Sequence, residues 1–444
     1  MTTTTSEPPA STWEPPATIA RPDLVRISEQ VLARPDLPIT VREDIFRIHC
    51  LGLDWDIGGE VFEPTDPARV LRDSRSGARL GFFSLHGGAG DHRTRRTAAT
   101  LLAAKFGFKV VTMTYPGRLN FNDPQRDWPG DTINPDGTTR TPIYQIGEEI
   151  TPDQYELVQD RSDPEKHAKW GTLFFIRARE GTRFYDRLAA WPAAFDEAMV
   201  EICRRHLPAE EGYAVLAHGQ STGGPFAHIA LQRVQNCVGL AGLETSQWGA
   251  IGATAWHTWN YPFNYLTIRT WRHIAKYLGP EAGEAGARRL PQLMEQVFEA
   301  WERVKNQPQF KAEYLVSFDN DSGLEAAARY SAQRLGLGPA ETEALVRRYL
   351  NLPRPLTGPG VGLKPVPPLL YQICQGSVDH TPEAYRDALF ANLDKLDPRP
   401  KYRLVQLEAG VHANEQPEEG LPRGPFPVAA QVWVDAVQNG YYNP

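Results

Sequence analysis

Ser221 stands in the pentapeptide Gly219-Gln-Ser221-Thr-Gly223, with the apolar run 213–218 before it and a helix-like segment, 225–234, after it. A serine hydroxyl is a weak nucleophile at neutral pH. It needs a base to take its proton and an acid to orient that base. Small residues on both sides of Ser221 suit a sharp strand-to-helix turn, in which a side chain at Gly219 or Gly223 would strike neighbouring backbone. Such a turn lifts the hydroxyl above the sheet and aims the N–H groups of the new helix at whatever the oxygen attacks. Glycine and serine are common, so the pentapeptide alone says little; its place between strand and helix gives it weight.

A partner base must come from a loop at the same sheet edge. Of the eleven histidines, His86, His380 and His412 are those that follow a strand there, and His412, in Gly410-Val-His412, lies just past the last strand. His218 precedes the turn within its own strand and reads as structural. Two carboxylates compete to be the acid. Asp379 follows a strand in Gly376-Ser-Val-Asp379, and Glu244 ends the strand after the serine turn. Either strand end should lie beneath the histidine loop. The carboxylate not used would be a buried, hydrogen-bonded neighbour, because an unpaired one is costly to bury. The stretch His86-Gly87-Gly88-Ala89-Gly90 places bare amides after another strand, where the N–H of Gly87 or Gly88 can join that of Thr222 as an oxyanion hole. No Lys-Ser/Thr pair follows these glycines and their spacing is not GxGxxG, which sets aside a nucleotide phosphate loop. Tyr115-Pro-Gly-Arg118 reads as a turn on the pocket floor.

The elements that must hold these groups alternate. An antiparallel pair is expected over 46–62, reversing near Gly58-Gly59, then a buried strand over 78–85, a helix over 94–105 and a strand over 109–114. Residues 119–180 read as irregular and polar. A long helix at 182–206 leads into the strand before Ser221, and 237–243 forms the next strand. Residues 245–365 break the rhythm with an aromatic cluster (Trp248, Trp256, Trp259, Tyr261, Phe263, Tyr265) and amphipathic helices, 291–305 and 339–350 among them. The pattern then resumes with a strand at 368–374, a helix at 382–393, a strand at 402–407 and a closing helix near 425–438. Strands alternating with helices imply an α/β class: a mainly parallel sheet covered on both faces, with ligands at the carboxyl edge. The expected organisation is an arm at 1–22, disordered or loosely docked, a catalytic core at 23–244 and 366–444, and a helical cap at 245–365.

With 444 residues, 41% of them hydrophobic, the chain can bury a large core. A net charge of -7 without a basic patch argues against nucleic acid as a partner. Cys50, Cys203, Cys237 and Cys374 show neither CxxC nor metal-ligand spacing, so buried, reduced thiols are expected, as suits the cytoplasm. The Thr-, Ser- and Pro-rich start lacks the features of a signal peptide, and no apolar run approaches a membrane span.

In this order, HGGAG, TYPGR, GQSTGG, GSVD and GVH resemble the α/β-hydrolase superfamily over about residues 80–413. The resemblance implies that family's fold with a cap and a serine nucleophile, and it maps the usual acid position to Asp379. Leu243-Glu244-Thr245 is similar instead to a smaller group of bacterial esterases with a Ser-Glu-His triad. The expectation is a cytoplasmic serine hydrolase of a carboxylic ester, using neither metal nor organic cofactor. Its partner would be a small-molecule ester of apolar or aromatic character, with no membrane partner; a homodimer stays open. Acyl transfer, or amide, thioester or C–C cleavage by the same residues is the alternative chemistry, and a non-catalytic ligand-binding protein the alternative class. Dehalogenase and epoxide hydrolase relatives carry an acid where Ser221 stands.

Overall fold

Side chains alternate along each strand, and here both faces are apolar, so the sheet must be covered twice. In the strand Arg79–Leu85, Phe83 and Leu85 join one core cluster while Leu80 and Phe82 join the other. The computed structural model describes residues 13–87, 90–119, 142–159, 174–179, 181–221, 223–245, 364–377, 380–390, 396–412 and 414–443, and also 329, 332–333, 336–350 and 393–394.

In chain order the strands are β1 (Ala17–Ile19), β2 (Ile39–Cys50), β3 (Leu53–Pro64), β4 (Arg79–Leu85), β5 (Lys109–Met113), β6 (Tyr155–Gln159), β7 (Phe174–Ala178), β8 (Tyr213–Gly219), β9 (Cys237–Ala241), β10 (Leu369–Cys374) and β11 (Tyr402–Leu407). Nine of them form one sheet in the order β1-β11-β10-β9-β8-β4-β5-β3-β2. Every pairing from β1 to β5 is parallel, and only β3 runs against its neighbours. Helices α1 (Arg21–Leu32), α2 (Arg96–Leu101) and α6 (Phe426–Gln438) cover one face. Helices α3 (Arg183–His206) and α4 (Gly223–Arg233) cover the other. A further helix, α5 (Pro339–Leu350), coincides with the one expected there. The α/β class is as expected, and β8, β9, β10 and β11 deliver their carboxyl ends to one edge. With a serine turn after β8, this is the α/β-hydrolase fold.

Several local expectations change. The first hairpin reverses at Leu51-Gly52 and not at Gly58-Gly59. Leu51 (φ 52°) and Gly52 (φ 73°) both take the left-handed conformation that a two-residue hairpin turn requires. Gly58 and Gly59 lie inside β3 because neighbours press on it. A Cβ on Gly58 would fall 2.6 Å from the His92 ring, and one on Gly59 2.5 Å from Ile202. The stretch read as irregular contains an antiparallel pair, β6 and β7, whose five-residue strands are short within that polar stretch. The helices near 94 and 382 are shorter than expected, since each passes into a π-helical turn, Leu102–Phe106 and Tyr385–Phe390. Within the N-terminal arm, Ala17–Ile19 pairs with β11 as the sheet's edge strand. The aromatic cluster at 248–265 and the helix at 291–305 lie outside the described residues. All four cysteines are buried and none is joined in a disulfide. Among the described residues no helix is long and apolar enough to cross a membrane.

Buried imidazoles make this core acid-sensitive. Burial, with Arg95's charge adding to it, lowers His218 to about 3, and burial lowers His228 to about 4. His86 is also pushed well down, by burial and by the Arg118 charge. Between the ordinary imidazole value and these lowered ones, the unfolded chain binds protons that the folded chain refuses. Stability is therefore complete above about pH 6.5 and falls as the pH drops, by roughly 3 kcal/mol at about pH 4 for His218 alone. Urea denaturation at about pH 7 and about pH 4.5 should show a clearly lower midpoint in acid; equal midpoints would contradict it.

Candidate active site

The turn after β8 is shaped by contacts that leave no room for side chains. A Cβ on Gly219 would lie 2.0 Å from the carbonyl oxygen of Gly223, and one on Gly223 2.7 Å from the carbonyls of Leu85 and His86. Between them Ser221 is held at φ 52°, a conformation that β-carbon-bearing residues avoid, and its N–H donates to the Glu244 carbonyl at 2.7 Å. Helix α4 begins two residues later. Gly219→Ala should therefore fold poorly: the added Cβ would strike backbone, which cannot swing aside as a side chain can, and about 3 kcal/mol of stability should be lost. A thermal unfolding midpoint within a degree or two of wild type would contradict this.

Glu244 is the second strained residue at this edge, with φ 51°. Its backbone is laced to β10 through a bond from its N–H to the Gln372 carbonyl, 3.0 Å. Its side chain is fully buried and surrounded by donors. The Cys374 N–H reaches Oε1 at 2.6 Å, the Ser377 hydroxyl reaches Oε2 at 2.6 Å, and His412 Nδ1 lies 3.0 Å from the same Oε2. A second imidazole, His380, has its Nδ1 3.5 Å from that oxygen. Burial alone would raise this carboxyl. The attraction of the His380 and His412 imidazoles and the hydrogen bonds more than offset it, so the group is held below its ordinary value and stays ionised at neutral pH. The ionised acid can only accept, so the hydrogen sits on His412 Nδ1 and Nε2 keeps its lone pair.

The structure thus brings Glu244 and His412 together, and it ties Glu244 to the backbone of Ser221. Asp379, Thr222 and Gly88 lie outside the described residues. Gly87 is described. A Cβ there would be 3.4 Å from Ser221 Cβ, so the backbone after β4 passes directly beside the serine. The Tyr115 turn braces this loop from behind. The Tyr115 hydroxyl donates to the His86 carbonyl at 2.5 Å, its ring stacks on His86 at 3.9 Å, and Arg118 reaches the Gly90 carbonyl at 3.4 Å. His218 is buried in the core, its Nδ1 2.7 Å from the Ala241 carbonyl.

Four participants, Ser377, Gln220, Arg95 and Glu415, were not singled out by sequence reasoning. Ser377 lay inside GSVD, but its role depends on the loop's path. Gln220, the unspecified residue before the serine, donates through Nε2 to the His412 carbonyl at 3.1 Å and accepts from Arg95 at 2.6 Å. Arg95 in turn pairs with Glu415 at 2.6 Å, so a polar chain ties the serine turn to the histidine loop at His412 and at Glu415. Gln220→Ala should misplace His412 relative to Ser221. A drop of about 10²-fold in kcat is expected, because displacements near 1 Å cost that much, with only about 1 kcal/mol of stability lost. Steady-state kinetics beside a melting curve separates the two effects; unchanged kcat would remove Gln220 from this role.

No family model and no curated protein matches this chain. Solved structures similar to it include a thermostable esterase from Pseudomonas putida, at 12% identity and a TM-score of 0.34, spanning 95% of this chain and 89% of that one. A lipase in its open form is 12% identical with a TM-score of 0.35, over 90% of this chain and 100% of that one. Pyrococcus horikoshii acylaminoacyl peptidase is 12% identical with a TM-score of 0.33, over 89% of this chain and 41% of its own.

Proposed function

We propose that this protein is a serine hydrolase that cleaves a carboxylic ester through an acyl-enzyme. His412 Nε2 takes the proton of Ser221 as Oγ attacks the ester carbonyl, and Glu244 holds the imidazole and the imidazolium that forms. The N–H groups of Thr222 and of Gly87 or Gly88 receive the oxyanion. His412 then returns its proton to the leaving alcohol, and water, activated by the same imidazole, releases the acid and regenerates Ser221. One observation carries this reading: Glu244 accepts the Ser221 N–H on its backbone carbonyl and His412 Nδ1 on its carboxylate, at 2.7 and 3.0 Å. A single residue thereby sets nucleophile and base in one frame. Two non-glycine residues at positive φ, Ser221 and Glu244, add support, since such strain concentrates at working sites. The aromatic residues at 248–265 favour an apolar or aromatic ester.

A fluorophosphonate probe tests the nucleophile directly. Intact-protein mass spectrometry should show one phosphonyl adduct, and peptide mapping should assign it to Ser221. A folded protein that takes up no adduct, or takes it elsewhere, would refute the proposal.

A further inference from the structure

A triad acid ordinarily receives one imidazole, whereas Glu244 Oε2 faces two. His412 Nδ1 lies at 3.0 Å and His380 Nδ1 at 3.5 Å, and the two rings are stacked, centroids 4.7 Å apart and 26° from parallel. Their Nδ1 atoms therefore point the same way, toward one carboxylate oxygen. Potential ligand atoms of Glu244, His380 and His412 all lie within 4.8 Å of one another. Tetrahedral zinc, bound at about 2.0–2.1 Å to nitrogen and oxygen, sets its ligand atoms about 3.3 Å apart, and the 3.0 and 3.5 Å separations bracket that spacing.

We propose that Glu244, His380 and His412 form an inhibitory binding site for a borderline divalent transition cation, with Zn²⁺ as the best match. Two imidazole nitrogens and one carboxylate oxygen are a zinc-type donor set, and the fourth position is open to water or the Ser377 hydroxyl. Mg²⁺, which demands oxygen ligands and octahedral geometry, does not fit. The His412 side chain is 19% exposed while those of His380 and Glu244 are buried, so the cation enters from the His412 side. Binding takes the Nδ1 lone pair of His412 and moves its hydrogen to Nε2, with no net proton released. Nε2 then donates where it formerly accepted, and it cannot take the Ser221 proton. The inhibition, though not the binding, rests on the serine hydrolase reading above.

Calorimetric titration of Zn²⁺ into the Ser221→Ala protein tests the binding without turnover. The expected result is one zinc per chain, with no heat from Mg²⁺. His380→Phe keeps a ring against His412 but offers no ligand atom. It should weaken zinc by at least about 100-fold, since loss of even a ligand's hydrogen-bond partner costs 10–100-fold. Zinc should also inhibit ester turnover by wild type reversibly, with EDTA restoring it. Should the His380 variant fail to fold, X-ray absorption on zinc-loaded Ser221→Ala protein decides: two imidazoles in the shell support the site, while one or none overturns it. Absent binding, or binding indifferent to His380, also overturns it. Fluorophosphonate labelling with no zinc binding removes the metal site alone; His380-dependent zinc binding with no labelling removes only the hydrolase reading.

Discussion

Ser221→Ala is expected to abolish turnover of a p-nitrophenyl ester, a loss on the order of 10⁶-fold in kcat, as when a serine hydrolase loses its nucleophile. The fold should survive. Serine and alanine both carry a Cβ, so the cost of holding position 221 at φ 52° is the same for either. The bond from its N–H to the Glu244 carbonyl is also retained. Purified variant and wild type should give matching unfolding curves and widely separated progress curves. Activity near that of wild type would remove Ser221 from the chemistry and, with it, the proposed acyl-enzyme.

The second large effect concerns the acid. Glu244→Gln should lower turnover by about 10⁴-fold, the cost when the base is held in the wrong tautomer. Glutamine has nearly the shape of glutamate, and its carbonyl can still accept from the Cys374 N–H. Its amide can also donate, and if it faces His412 it turns Nδ1 into an acceptor and leaves the hydrogen on Nε2. Nε2 then cannot accept the serine proton. Asp379→Asn should cost far less. Kinetics on the two variants, each checked for folding by circular dichroism, decides the matter, and a larger loss in the Asp379 variant would make that residue the acid. The carboxyl of Glu244 is held below its ordinary value, so it stabilises the fold above that range and ceases to do so as acid protonates it. Glu244→Gln removes this contribution, and its unfolding curve should therefore depend less on pH in the acid range.

Most of the framework was legible because it is local. Continuous apolar runs along 79–85 and 213–219 and glycines around Ser221 are written in neighbouring residues, and they predict buried strand, turn and helix. The same locality misled at Gly58-Gly59. There the glycines answer to His92 and Ile202, residues distant in sequence, and no turn is needed. The β6–β7 pair is a related case: each strand is five residues long and stands in a polar, Pro- and Asp-rich stretch, so neighbouring residues did not reveal the pairing.

The order of nucleophile, acid candidates and base along the chain, and their arrival at one sheet edge, follow from alternation and motif spacing alone. Which atoms meet there is a tertiary matter. Two carboxylates at the ends of adjacent strands are equivalent in pattern. Strand register and the left-handed backbone at Glu244 are what bring its Oε2 to His412 and, behind it, to His380. The tie from Gln220 through Arg95 to Glu415 likewise joins residues whose separation in sequence carries no signal. Short-range periodicity encodes which way a chain runs; the sub-ångström choice among hydrogen-bond partners depends on packing between elements, and it exists only once the sheet has formed.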